Sequence, residues 1–582
     1  MKSRSIRNTR ITRMTKLSTA LGATLVLALT SLAQHSAAKD DKLEALVKGQ
    51  LGSVEGRALY VMIDKPLYHP GETVWFRGFE LSRKTMAAPA GDHGVTFEIL
   101  DPKGGKLLEK RVLAHQGGAT NDFILPPGLV GGQYTLRATS DLGVTEDKPF
   151  SVSSYETPRI KKSVELTRKS YGAGEEVIAT AHFERATGDA VSFGKLTVIA
   201  SVDGVEVSRQ SIVTDYRGYA RVRFTLPKSI EKGDATLTVL VNDGGGNESI
   251  QKRVPIVLDH IALVAYPEGG DLVTGLPGRV YFAARDPLGK PIETEGKVVD
   301  DAGTTVAQFK SFHAGMGRFD LTPAAGRTYR LQVSKPAGIA QSFTVPVAKS
   351  SGCSMQSEDD YASAKLEVRV KVWCKDAQVV NATAVVRDRL VGHASSEVSA
   401  YVPAIAAGSA PATSTATLIP GALPMTTKIT WAATVLAIPM TKDVLGATRI
   451  TLFDAAQRPL AERVVYRGVR SGLRVAITQD KPAYAPREKV TLTLKAIDGE
   501  GKPVQNADLA LSVVDDTVLN FADDKTPNML ARLYLEPEMP GQKIFEPNFY
   551  FSADAKAPHA LDLLLGTLGY RRFEWSWVKQ AQ

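Results

Sequence analysis

A chain of 582 residues, 43% hydrophobic and 23% charged, is too long for one hydrophobic core and is expected to divide into several ordinary globular domains. Its 49 glycines and 31 prolines favour many short strands and turns over long helices. Much of the formal charge of +9 sits on Lys2, Arg4, Arg7, Arg10, Arg13 and Lys16, in a leader without acidic residues, and the nearly neutral remainder argues against a nucleic-acid partner.

Residues 1–38 read as a secretory signal. A basic start is followed by an apolar run from Ala20 to Ala33 and by Ser36-Ala37-Ala38, with cleavage expected before Lys39. The protein is therefore expected to be exported, to the periplasm or the extracellular space. The alternative is an uncleaved anchor, which is the sole route to a membrane in this reading, and the apolar run is short for a span. Residues 39–55 form a charged lead segment.

The first unit, 56–155, alternates with period two: Val95, Phe97 and Ile99 face one way, Thr96 and Glu98 the other. It opens on Asp64-Lys65-Pro66-Leu67-Tyr68-His69-Pro70-Gly71-Glu72-Thr73-Val74, a Pro/Gly turn feeding a strand. The pattern Lys-x-x-Tyr-x-x-Gly-Glu-x-Val has an echo at Arg168–Val177 and another at Lys481–Val490. The spacings are near multiples of roughly 100 residues, which signals a tandem array whose unit is a whole domain. In this motif Tyr is expected to pack at the sandwich corner and Glu to be placed by the turn.

The second unit, 156–257, ends on Leu237, Val239 and Val241, and its Asp243-Gly244-Gly245-Gly246 is read as a turn, since no helix pattern follows for a phosphate loop. The third, 258–347, holds Tyr266-Pro267-Glu268-Gly269-Gly270-Asp271 and the turn Asp286-Pro287-Leu288-Gly289-Lys290-Pro291, which recurs as Asp498-Gly499-Glu500-Gly501-Lys502-Pro503. The fourth, 348–467, carries Cys353 and Cys374. In an oxidising compartment they are a disulfide candidate, supported by the shared strand face of Leu366, Val368, Val370, Val372 and Cys374, with two buried thiols as the alternative.

The fifth unit, 468–582, alternates through Val490, Leu492, Leu494 and again through Leu509, Leu511, Val513. Alternation then stops, and 521–558 reads as an irregular, exposed segment with cleavable bonds at Lys525, Arg532 and Lys543. The unit looks short of strands. A short helix is expected at Ala560–Leu565. The fold class is thus all-β: a tandem array of about five antiparallel β-sandwiches.

These segments resemble the macroglobulin domains of the bacterial α2-macroglobulin family. Asp64–Val74 is similar to its MG2-type signature. Tyr266–Asp271 and Pro459-Leu460-Ala461-Glu462-Arg463 look like later domains, and Leu561–Gly566 with Gly569-Tyr570-Arg571-Arg572-Phe573 resembles a stretch following the bait-region domain. The resemblance implies a non-enzymatic endopeptidase inhibitor: a protease cuts a bait segment, the array closes around it, and in many members a Cys-Gly-Glu-Gln thioester captures it. This sequence contains no Cys-Gly-Glu-Gln, and Cys353-Ser354-Met355-Gln356 lies at the edge of a β unit. Steric trapping, or a scaffold role in the array, is what remains.

No catalytic constellation competes with that expectation. None of the nine histidines pairs at metal-ligand spacing, and no nucleophile elbow or Walker loop occurs. His69 and His313 are read as loop residues, and the acid pairs Asp300-Asp301, Asp359-Asp360 and Asp523-Asp524 as solvated turns. No metal or cofactor is expected. Partners are endopeptidases, with 521–558 as the bait and Ala406–Thr417 as a weaker one, although any loop of a modular protein would look similar. The alternative is a structural or adhesive module contacting other cell-envelope proteins.

Overall fold

Period-two alternation becomes pairs of antiparallel sheets, each pair closing on its own apolar core. The computed structural model describes residues 56–153, 160–256, 261–359, 366–402, 433–468, 473–515 and 527–570, apart from 186, 232, 243–246, 287, 288, 442, 443 and 540, together with Ala45, Val518 and Leu519. The leader, the turn at 243–246, the Ala406–Thr417 segment, Asp360, Asp523, Asp524 and Lys525 lie outside the described residues.

In the first sandwich, strands Arg57–Ile63, Thr73–Ser82 and Gly118–Ile124 form one sheet. The other orders Leu67–Tyr68, Thr145–Val152, Gly132–Ser140, His93–Leu100 and Lys106–Ala114. Leu59, Val61, Val74 and Phe76 meet Val95, Phe97, Ile99 and Leu136 in the core between them. The rings of Phe76 and Phe97 lie 4.5 Å apart.

The second sandwich repeats this with a three-stranded sheet (Ile160–Leu166, Glu176–Arg185, Tyr219–Thr225) and a four-stranded one. In the latter, Lys195–Val202 lies between Val205–Val213 and Asp234–Asn242, and Asn247–Pro255 takes the edge. The third and fourth sandwiches follow the same three-plus-four plan, each with a separate core. In the fourth, Cys353 and Cys374 stand directly opposite across the antiparallel pair Cys353–Ser357 and Glu367–Cys374. They form a disulfide with a Cα–Cα separation of 4.0 Å. Val368, Val370 and Val372 share the buried face with Cys374.

The recurring turn is built by the same hydrogen bonds in its first and third copies, and the second, with Thr167 in place of the Asp, shares those made by its Tyr and Glu. In the first copy the Tyr68 hydroxyl donates to Asp64 Oδ1 at 2.6 Å, and that oxygen also accepts the Trp75 N–H at 2.9 Å. Glu72 accepts the His69 N–H at 2.7 Å and pairs with Lys65 at 2.6 Å. In the second copy Tyr171 accepts the Arg168 N–H, and Glu175 takes the Gly172 N–H and Arg168. The third repeats all of it: Tyr484 to Asp480 at 2.5 Å, Asp480 to the Thr491 N–H at 3.1 Å, Glu488 to the Ala485 N–H at 2.8 Å and to Lys481. Tyr68 and Tyr171 are fully buried at the corner. Glu does more than follow the turn: its carboxylate satisfies a backbone donor inside it, which fixes the turn locally.

The expected fifth sandwich is the point of difference. Its strands Arg474–Gln479 and Leu492–Ile497 make a two-stranded sheet, and Leu509–Val513 joins no sheet among the described residues. Among the described residues no later segment covers them. Residues 527–570 leave this unit and pack on the other sandwiches, chiefly the third and fourth, forming a core of their own with Tyr281, Ala283, Met316, Val464 and Tyr466.

Candidate functional site

The 521–558 segment was singled out for lacking periodicity, and its described part is mostly packed. A π-helical turn spans Ala531–Leu535, with Ala531, Leu533 and Leu535 buried, and 3-10 turns follow at Glu536–Glu538 and Phe549–Phe551. Period-two alternation fails here because the chain coils in single helical turns. An exposed loop is therefore not what most of this stretch forms.

The two described candidate residues, Arg532 and Lys543, differ sharply. Arg532 is clamped by Glu146 of the first sandwich, with Nη2 at 2.6 Å and Nε at 3.0 Å, and by Glu536 at 2.6 Å. These hydrogen bonds hold its guanidinium more strongly protonated than usual, against the opposing effect of burial. Two carboxylates thus occupy the side chain that a trypsin-like pocket would need. Lys543 is exposed. It follows Gly541, whose φ of +73° sets the turn, and its ammonium rests over the Phe545 ring at 5.4 Å.

Both flanks of that turn are anchored. Upstream, Tyr534 lies against Arg387 of the fourth sandwich. Downstream, His313 stacks on Phe549 at 4.2 Å and meets Tyr550 edge-on. His313 does belong to a turn, His313–Met316, but it is buried beneath the C-terminal segment rather than solvated. Burial holds it below the ordinary imidazole value, as it does His559, whose ring packs at a tilt against Phe312.

The helix Ala557–Thr567 is the main anchor. Ala560, Leu561, Leu563, Leu564 and Leu565 are all buried, so it is apolar on every side and sits in a slot rather than on a surface. Its backbone comes so close to Tyr281 that a Cβ at Gly566 would stand 2.5 Å from the ring.

One carboxylate interrupts that apolar helix. Asp562 accepts Arg463 Nη2 at 2.7 Å and the Tyr281 hydroxyl at 3.0 Å. Arg463 also reaches Glu268 at 3.2 Å and lies 4.6 Å from the Tyr281 ring centroid. Glu268 accepts both the N–H and the hydroxyl of Ser357, at 2.9 and 2.7 Å. Arg279 and Arg318 extend the network to Asp359, at 3.1 and 2.6 Å. Asp359, read as part of a solvated turn, is exposed in a bend and is also ion-paired.

Burial acts to lower Arg463, but the Tyr281, Asp562 and Glu268 charges outweigh it and hold the guanidinium protonated; burial pushes the Tyr281 phenol well up. The network ties the third sandwich (Glu268, Arg279, Tyr281, Arg318), the fourth (Ser357, Arg463) and the helix (Asp562) together. Sequence reading quoted Glu268, Arg463 and Asp562 only as parts of motifs. The available signal was Asp562 itself, a lone acid in the run Ala560–Gly566, which implies a buried cation. Two cavities of about 10 Å³ border it, too small for a substrate, and the network's bonds hold segments together. Among the described residues no group of His, Cys, Asp or Glu could hold a metal ion, and no helix is long and apolar enough to cross a membrane.

Comparison with known proteins gives three findings. The model of the MG2 domain matches residues 58–152. A protein named alpha-2-macroglobulin from Ralstonia nicotianae is 24% identical over 517 residues, covering 82% of this chain and 31% of the relative; one from Thermotoga maritima is 24% identical over 49% of this chain and 19% of its own length. The chain thus spans less than a third of either relative. Among solved structures, trypsin-activated alpha-2-macroglobulin from Escherichia coli aligns over 84% of this chain and 36% of its own, at 14% identity and a TM-score of 0.44.

Proposed function

Because this chain belongs to the bacterial alpha-2-macroglobulin family, we propose that it is an exported, non-enzymatic protein of the endopeptidase-inhibitor type, acting by steric trapping. The observation that carries this reading is the alignment over 82% of the chain with a protein named alpha-2-macroglobulin. The basic, apolar and small-residue order of the first 38 residues supports export.

In this reading the protease enters at the Gly541–Lys543 turn and cleaves after Lys543, which is exposed and, unlike Arg532, is not held by Glu146 and Glu536. Anchoring on both flanks keeps the two halves in place around the cut. Covalent capture by a thioester is not part of the proposal, since the sequence's two cysteines are bonded to each other. The second reading is a structural or adhesive scaffold of the cell envelope, which the series of β-sandwiches would suit.

Incubation of the full chain with trypsin separates the two. The trapping reading expects a first cut after Lys543, after which bound trypsin still hydrolyses a small chromogenic substrate but is shielded from a large protein substrate. Unimpeded attack on the large substrate, with no discrete cut in 521–558, would leave the scaffold reading standing.

A further inference from the structure

We propose that the Cys353–Cys374 disulfide is a redox-sensitive latch for the C-terminal helix. With the bridge intact the helix is held in its slot, and reduction by a dithiol loosens it while the sandwiches stay folded. The element that joins the two is the strand Cys353–Ser357. Among the described residues it is the edge of its three-stranded sheet, paired through the main chain on one side only, with Glu367–Cys374.

The same strand forms the seam with the third sandwich. The Ser354 hydroxyl donates to the Pro277 carbonyl at 2.5 Å, Met355 is fully buried beside Gly269, and the Ser357 carbonyl accepts Arg279 Nη1 at 3.2 Å. From its far end two routes lead to Asp562 on the helix. In one, Glu268 Oε1 accepts the N–H and hydroxyl of Ser357 and also Arg463 Nε, while Arg463 Nη2 donates to Asp562. In the other, Arg318 spans from Asp359, two residues past the strand, to Asp562 at 3.5 Å. Two of the three hydrogen bonds that fix the buried Glu268 oxygen thus come from Ser357. Displacing the strand unseats the carboxylate that positions Arg463.

A five-residue edge strand with one ladder is a weakly held element that opens locally. The bridge restricts that opening, because it ties the first residue of the strand to the residue directly across the ladder, 21 positions along the chain. Once the bridge is cut, only the ladder and the seam hold the strand. Reduction passes two electrons and two protons from a dithiol to the bridge: the sulfurs of the dithiol join, and Cys353 and Cys374 are left as thiols. The coupling is reciprocal, so whatever uncouples the helix makes the bridge easier to reduce by the same factor. Nothing in it depends on protease trapping.

The test compares the full chain oxidised, reduced with dithiothreitol, and as Cys353→Ala/Cys374→Ala, all under native conditions. In the last two, hydrogen exchange of 353–358 and 557–568 should quicken about tenfold, with the amides of Gly446–Phe453 in the fourth sandwich unchanged. In return, Asp562→Ala, which removes the group on which both routes end, should be half-reduced at a ratio of reduced to oxidised dithiothreitol about tenfold below that of the parent chain. Three results would overturn the proposal: helix exchange that does not respond to loss of the bridge, exchange rising equally throughout the fourth sandwich, or Asp562→Ala half-reduced at the parent's ratio.

Discussion

Replacing Asp562 with Ala tests what holds the C-terminal helix in its slot. The substitution removes the acceptor for Arg463 at 2.7 Å and for the Tyr281 hydroxyl at 3.0 Å, and leaves a buried guanidinium facing one remaining carboxylate, Glu268 at 3.2 Å. Breaking a buried ion pair by deleting one partner costs about 3–5 kcal/mol. Glu268 and the Tyr281 ring retain part of the favourable field, so the low end, about 3 kcal/mol, is expected. The loss falls on helix docking, since each sandwich keeps a separate core. Native-state hydrogen exchange of residues 557–568 should therefore accelerate about a hundredfold, at roughly tenfold per 1.4 kcal/mol, with the sandwich amides unchanged. Arg463→Met/Asp562→Leu, which removes both charges together, should recover most of the protection. An acceleration below fivefold in Asp562→Ala would refute the view that this network is the anchor.

Three other outcomes follow from the geometry. Burial holds His313 and His559 below the ordinary value near 6.5, so the released segment binds protons more readily than the docked one. Docking is then fully favoured above about pH 6.5 and weakens as pH falls below it, which exchange at 549–568 after correction for intrinsic rates should register. Tyr68→Phe should cost about 1 kcal/mol by leaving Asp64 without its hydroxyl donor, whereas Tyr484→Phe should leave the main thermal transition unmoved, because no closed sandwich depends on that copy. Cys353→Ala/Cys374→Ala should destabilise the fourth sandwich by about 3 kcal/mol for a sequence separation of 21, read from its denaturant midpoint under non-reducing conditions.

The all-β class was legible because side-chain alternation is a local property. Val95, Phe97 and Ile99 announce a half-buried strand without reference to anything distant, and all three are buried. The recurring turn was equally legible, since its partners lie within eleven residues of one another. What escaped the sequence was long-range. Leu509, Leu511 and Val513 alternate as well as Leu196 and Val198, yet a strand needs neighbours, and the pattern cannot say whether they are present. The segment after Asn528 lacked periodicity and so looked exposed, whereas its short turns bury Ala531, Leu533 and Leu535 against the array. Glu268, Arg463 and Asp562 come from three separate regions, and no spacing rule connects them.

The self-contained bonding of the turn, Asp-x-x-x-Tyr-x-x-x-Glu with Thr for Asp in the second copy, has a consequence for how the array is made. A long all-β chain has high contact order and should fold slowly, because distant strands must meet before anything rewards the entropy lost. The third copy is fully hydrogen-bonded beside what is, among the described residues, a two-stranded sheet, so the turn's bonds are local to it. Each copy can therefore act as a local nucleus that sets the register of its hairpin before remote strands arrive. Successive domains would then fold one after another as the chain emerges, with adjacent alike sandwiches kept from exchanging strands by turns already closed.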